Sequence, residues 1–432
     1  MRKRGTIIAF GVFSVSVVLC GGWYFSNRIT DVTIPERRYP PDNAYPKYVQ
    51  IAERLRDKFK YDPQLTAIYR KLPDGSLTPA ERTYFLQQTQ PLMDAYAQLV
   101  DDPCVAVYEY RHDFVLSNDF AGFREIARVE SYHMRILQKE RRWRELVKRA
   151  HTLIKFSHQI RNEGTLLHHL VGAGIESLAL DVLRESFPQI DDPVALESIV
   201  QMARQYESFR VPRYQALAHE KYMGYSFYEL CTQLPLTEVF ARGHWKTLLG
   251  LEGGVDEVRV VREVLRMRFA GAPMLAEYES LMNRLETEVK KPLWEAVNPL
   301  PTPRYAINEL LLPTQFLEPS GRGLEAWYLA QVRVLGCAAA IRLHQQRTGS
   351  YPTDLKLLDL GDIAIDPFTG KSLIYRVGSS QRFQIYSVGM NGKDDGGCAP
   401  SDGRKDRGDI TPASIPKPSQ KSKSLTDPIW LH

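Results

Sequence analysis

The sequence predicts a mainly α-helical protein that ends in a small α+β module. Three observations carry this reading: apolar stripes at helical spacing through most of the chain, a set of prolines between residues 292 and 319, and a period-2 pattern after Tyr351 that closes in a glycine- and aspartate-rich loop. The expected plan is a cytoplasmic stub and transmembrane helix over 1–28, a proline-containing linker over 29–47 and an irregular α-helical array over 48–291. A proline-rich connector over 292–322, an α+β module over 323–410 and a disordered tail over 411–432 complete it.

Thr6 to Phe25 carries no charged side chain. At 1.5 Å rise per residue, such a run covers about 30 Å, the thickness of the hydrocarbon layer. Arg2, Lys3 and Arg4 precede it, whereas Arg28 is offset by Asp31 and Glu36, so the positive-inside rule puts the amino terminus in the cytoplasm and the bulk outside. The expected location is the inner (plasma) membrane, spanned once, with residues 6–25 in contact with the lipid bilayer. No later segment reads as long and apolar enough to return. Cleavage is disfavoured by bulky Trp23, Tyr24 and Phe25, and lipidation at Cys20 by Leu19 before it. Outside the run, Cys104, Cys231, Cys337 and Cys398 permit two disulfides or four buried thiols, and their wide spacing excludes a zinc knuckle.

Pro35, Pro40, Pro41 and Pro46 make the next segment an extended spacer. Helical patterning then covers Ala80 to Leu99, Phe123 to Gln138, Arg142 to Ile160, Leu166 to Leu183, Val194 to Gln205, Pro212 to Tyr228 and Glu257 to Phe269. Asn162-Glu163-Gly164 stops one helix just before the next, which predicts an antiparallel hairpin of the kind that helical-repeat proteins stack. Gly172, Ala173 and Gly174 lack bulk where the second helix meets its neighbour. Beyond the connector, Leu324 to Arg347 reads as one helix, and the segments around Leu373–Val377 and Phe383–Ser387 as paired, half-buried strands joined by a turn at Gly378-Ser379-Ser380.

The chemistry-bearing residues are few. His219-Glu220-Lys-Tyr-Met223 places methionine where the second histidine of a zinc helix has to stand. No nucleophile elbow, P-loop or dinucleotide fingerprint is present. His168-His169 remain as the first candidates for an envelope hydrolase. With 56 basic and 51 acidic residues the net charge is +5, a weak field spread over 432 residues, which argues against nucleic acid as a partner. In the last loop, Asn391, Asp394, Asp395, Asp402, Asp406 and Asp409 offer side-chain oxygens, and hard cations take such ligands, though not here in EF-hand register.

From the helix before Gly349 to Ile410 the chain resembles the globular part of the major pseudopilin of type II secretion systems. The shared marks are Gly349-Ser350-Tyr351-Pro352, the turn at Asp366-Pro367 with Gly370 and Lys371, the run Tyr386-Ser387-Val388-Gly389-Met390-Asn391-Gly392, and the late pair Asp409-Ile410. The resemblance implies a helix plus antiparallel strands and a structural calcium ion held by the carbonyl of Val388, Asn391 and Asp409, with Asp402 or Asp406 also near. The glutamate that the family carries five residues after its cleavage site is absent, so what is implied is the fold, without assembly into a pilus. The expectation for the whole chain is a non-catalytic, membrane-anchored scaffold for other envelope proteins. The alternatives are an accessory component of a secretion system and an envelope hydrolase.

Overall fold

Side-chain caps set where the first helices begin. The Asn43 side chain accepts the Tyr45 amide at 3.3 Å at the start of α1 (Ala44–Tyr61). Asp62 accepts the Leu65 amide at 2.9 Å ahead of α2 (Pro63–Lys71), and Thr78 forms a capping box with Glu81 at the start of α3 (Pro79–Ala97). Proline at the first helical position of α2 and α3 loses no intrahelical bond and has its φ already set. The computed structural model describes residues 28–29, 32–72, 77–110, 119–233, 257–317, 319–378, 382–398 and 408–413. The membrane-crossing run at 6–25, the turn at Ser379-Ser380, Asp402 and Asp406, and the tail beyond Ala413 lie outside the described residues.

The array continues with α4 (Asp119–Lys139), α5 (Trp143–Gln159), α6 (Leu166–Ser186), α7 (Pro193–Phe209) and α8 (Ala216–Gln233). The α5–α6 pair forms the expected hairpin, with Glu163 in the turn at φ +55. Gly172 meets its neighbour closely, since a Cβ there would stand 2.6 Å from the Ser157 carbonyl oxygen. Gly174 does not, with open space around it, so the small-residue run serves contact at one end only.

The helix expected to stop at Phe269 runs on as α9 (Glu257–Val289), kinked at Ala270 ahead of Pro273. Proline removes one helical hydrogen bond and bends the axis, and helical patterning resumes beyond it. The connector contains a short helix, α10 (Ala306–Leu311), and α11 (Pro319–Thr348) starts before Gly323 because proline is tolerated in a helix's first turn.

β1 (Ile374–Gly378) and β2 (Arg382–Tyr386) pair antiparallel, with Tyr375 opposite Ile385 and Val377 opposite Phe383. The half-buried alternation does not hold. Phe383 to Tyr386 are all buried, whereas Val377 is 51% exposed. One face of β2 meets α11, and the other is covered by the returning chain, where Gln384 donates to the Gly396 carbonyl and Tyr386 to Asp394.

Two apolar cores result. The larger joins α1–α7 to α11 and the strands, with α7 lying along α11. The smaller gathers α8, α9, α10 and Val32. Two later stretches, Leu166–Gln189 and Ala306–Thr348, are long and apolar enough to cross a membrane, which the sequence did not suggest, and 56% and 83% of their apolar windows are buried inside the protein. They owe their composition to the cores they fill.

The proline-containing segment over 32–40 is extended, as expected, but it is docked on the body. Arg37 donates to the carbonyls of Ala106 at 2.7 Å and Glu163 at 3.0 Å, and its guanidinium lies 4.0 Å over the Tyr108 ring. Val32 is buried in the smaller core. Cys104, Cys231 and Cys337 are buried, no disulfide joins the described cysteines, and burial raises the thiol pKa of each of these three to about 12, leaving them unreactive.

Candidate functional site

The carboxy-terminal loop is built around two buried aspartates. Asp366, from the Asp-Pro turn, accepts the Phe368 and Val388 amides at 2.9 and 3.0 Å and the Ser387 hydroxyl at 2.8 Å, which locks the end of β2. Asp409 accepts the Gly397 amide at 2.7 Å and the Asp395 amide at 3.3 Å. The chain crosses itself tightly here: Gly389 sits at φ +66, and a Cβ on it would stand 2.5 Å from the Gly408 carbonyl oxygen.

Of the expected ion ligands, Val388 gives its amide to Asp366. Asn391 donates to Asp395 at 2.8 Å and accepts the Lys393 amide at 3.0 Å. Asp409 is buried within the loop, and Asp402 lies outside the described residues. Burial, with the charges of Asp395 and Asp394 nearby, raises the Asp409 pKa to about 6. That repulsion is what a cation relieves, and a carboxylate with two amide donors keeps acceptor capacity. The donor chemistry therefore fits calcium, although the loop is also closed by its own hydrogen bonds. Among the described residues, no three His, Cys, Asp or Glu side chains stand close enough to hold a metal by themselves, so carbonyls have to complete any shell.

The two adjacent histidines face different surroundings. His168 Nδ1 accepts the Thr165 amide at 3.1 Å, closing the cap of α6, and Nε2 meets the Tyr45 hydroxyl at 3.2 Å. Its pKa falls to about 3, through burial and then the Arg37 charge. His169 faces a separate cavity, and burial, with Arg161 next, pushes its pKa far down. His219 contacts Tyr110 and Arg37, while Glu220 accepts the Leu166 amide at 2.8 Å, so the zinc-like run serves packing.

That cavity surrounds an ionic network on α5–α7. Glu176, fully buried, accepts from Arg161 at 2.6 Å and from the Tyr206 hydroxyl, and His158 Nε2 lies 3.6 Å away. Burial opposes its ionisation, yet the Arg161 charge and these donors hold its pKa at about 2. His158 Nδ1 accepts the Val211 amide at 3.2 Å, and burial beside Arg161 lowers its pKa to about 4. A neutral imidazole and a stably ionised glutamate form no acid–base pair poised near neutrality.

A concave feature not anticipated is a groove of about 490 Å³ between α4 and Leu72, Leu77 and Arg82. Leu72, Leu77, Ile136 and Leu178 give it an apolar floor, and Arg82, Arg128, Arg135 and Lys139 a basic rim. Arg135 is 2.8 Å from Glu185. Arg128, Tyr132, Arg135, Ile136 and Lys139 recur at helical spacing, so one wall was legible in the sequence. The opposite wall depends on how α2 and α3 fold against α4.

Comparison with protein-family models, curated proteins and solved structures gives no match for this chain.

Proposed function

We propose that the protein is a non-catalytic, single-pass, membrane-anchored scaffold of the bacterial envelope, and that its groove takes an acidic, amphipathic segment of another envelope protein. The groove carries the reading. Its volume falls in the range of about 300–1,000 Å³ typical of ligand sites, and four cations around an apolar floor complement a segment with one apolar and one acidic face. A photo-cross-linker at Gln138, on the rim, should capture such a segment in intact cells, and Arg128→Glu with Arg135→Glu should abolish the adduct. Absence of an adduct, or one indifferent to the charge reversal, sinks the proposal. The hydrolase alternative draws less support, because His168 and His169 face different environments, and the hydroxyls that His168 meets, of Tyr45 and Thr165, are engaged in packing and in the cap of α6.

The carboxy-terminal loop supports a structural calcium ion at Asp409 and Asn391, with the Val388 carbonyl as a further ligand. Calcium should raise the melting temperature above a pH of about 6, where Asp409 is ionised, and lose that effect below it. A melting temperature indifferent to calcium at every pH removes the ion. The resemblance to a pseudopilin leaves an accessory role in secretion as the second reading. Copurification with secretion components from solubilised membranes would favour it.

A further inference from the structure

Leu72 and Leu77, between α2 and α3, Ile136 on α4 and Leu178 on α6 floor the groove. Its rim cations already have company inside the protein. Arg135 pairs with Glu185 at 2.8 Å, and Arg128 bonds Tyr69 and lies near Glu125. What an occupant has to cover is mainly the apolar floor, and only a segment with large apolar side chains covers it well.

The chain leaves the described body beside this groove. Arg184 on α6 is buried and donates to the Thr411 carbonyl at 3.0 Å and the Ala413 carbonyl at 3.4 Å, while Ile410 and Ala413 sit in the larger core. Glu185, next along the same helix, is the partner of Arg135 on the rim. Leu178 of the floor stands about 9 Å along α6 from Arg184, on a helix about 10–12 Å across.

The sequence beyond Ala413 has two parts. Residues 414–424 read SIPKPSQKSKS, a polar and proline-containing spacer. Leu425, Thr426, Asp427, Pro428, Ile429, Trp430 and Leu431 follow, and three consecutive large apolar residues there present surface that water disfavours. Tryptophan in such a place is the side chain most often found as the anchor of an interface. From Ala413 to Leu425 an extended chain reaches up to about 40 Å, well beyond the distance to the groove floor.

We propose that the segment from Leu425 to Leu431 occupies the groove of its own chain and competes there with the partner segment. Ile429, Trp430 and Leu431 lie on the apolar floor, and Asp427 faces the basic rim. Lys417, Lys421 and Lys423 fall in the spacer, where repulsion from Arg82, Arg128, Arg135 and Lys139 keeps them out of the groove. Tethering holds the segment at an effective concentration on the order of millimolar, so a weak contact suffices to fill the site. The competition rests on the reading of the groove as a partner site, whereas the occupancy does not.

The test uses purified full-length protein in detergent with a photo-cross-linker at Gln138, and mass spectrometry of the digested product. An adduct between position 138 and the peptide containing residues 425–432 is expected within one chain. Trp430→Ser, which leaves the folded body untouched, should lower its yield at least about tenfold, as truncation of a central aromatic anchor does. Excess synthetic peptide of residues 424–432 should lower it too. No adduct to this segment overturns the proposal, as does an adduct that Trp430→Ser leaves unchanged. An adduct joining isotopically light and heavy copies in a mixed sample also overturns it, by placing the segment on a second molecule. In cells, deleting residues 425–432 should raise the partner adduct severalfold, and a yield that the deletion leaves unchanged overturns the competition. Loss of the partner adduct from cells with the purified protein's own adduct intact would sink the partner reading alone.

Discussion

At the scale of single residues, the molecule is marked by histidines and carboxylates sealed away from water. Burial lowers the pKa of His133 and His168 to about 3 and of His158 to about 4, with Arg149, Arg37 and Arg161 respectively adding to the effect. An unfolded histidine titrates near 6.5, so the unfolded chain binds protons that the folded one refuses. Stability from these groups is complete above a pH of about 6.5 and is lost as pH falls toward 4, by about 1.4 kcal/mol per pH unit for each histidine in that window. Asp409, Glu125, Glu130, Glu220 and Asp366 act in the opposite direction, because burial raises their folded pKa, but His151, His169 and His219 are also held low and add to the histidine effect. The urea midpoint measured against pH should therefore drop steeply between about 6.5 and 4. A flat profile would mean that these imidazoles are hydrated. None of this was legible in the sequence, where His168-His169 stood only as first candidates for the hydrolase alternative: adjacent helical residues point about 100° apart, and which neighbour each meets depends on tertiary packing.

At the scale of elements, α7 and α11 approach closely, since a Cβ on Gly336 would stand 2.4 Å from that of Ala203. Gly336→Val should destabilise the protein by about 1–3 kcal/mol, since two backbones have to separate. Gly174→Ala, on a helix surface with open space around it, should instead stabilise by about 0.5–1 kcal/mol. Thermal or urea denaturation of both variants checks the pair, and equal effects would refute the contact. Every described helix that the patterning named is present, because an amphipathic stripe is a local property. The continuation of α9 past Pro273, the depth of β2 and the docking of α7 on α11 were not legible, since each depends on a partner distant in sequence. The loop was half legible: Asp409 and Asn391 were singled out from the resemblance, whereas Asp366, the hub that pins Val388, read only as a turn former.

At the scale of the whole molecule, the proposed anchor and the described body meet at residues 28–40. Removing residues 1–27 should release the body from membranes without unfolding it, as fractionation and circular dichroism would report, and a reporter fused after His432 should be active only outside the cytoplasm. A body that stays with the membrane after the deletion, or a reporter active inside, would refute the anchor or its orientation. The same junction has a mechanical consequence. Arg37 grips two carbonyls that belong to different parts of the array, at Ala106 and Glu163, and rests on the Tyr108 ring. A pull arriving along the amino-terminal strap is stopped at that clamp and shared between those two places before it reaches α1, so the strap must slide out from under several bonds together rather than unzip the first helix turn by turn.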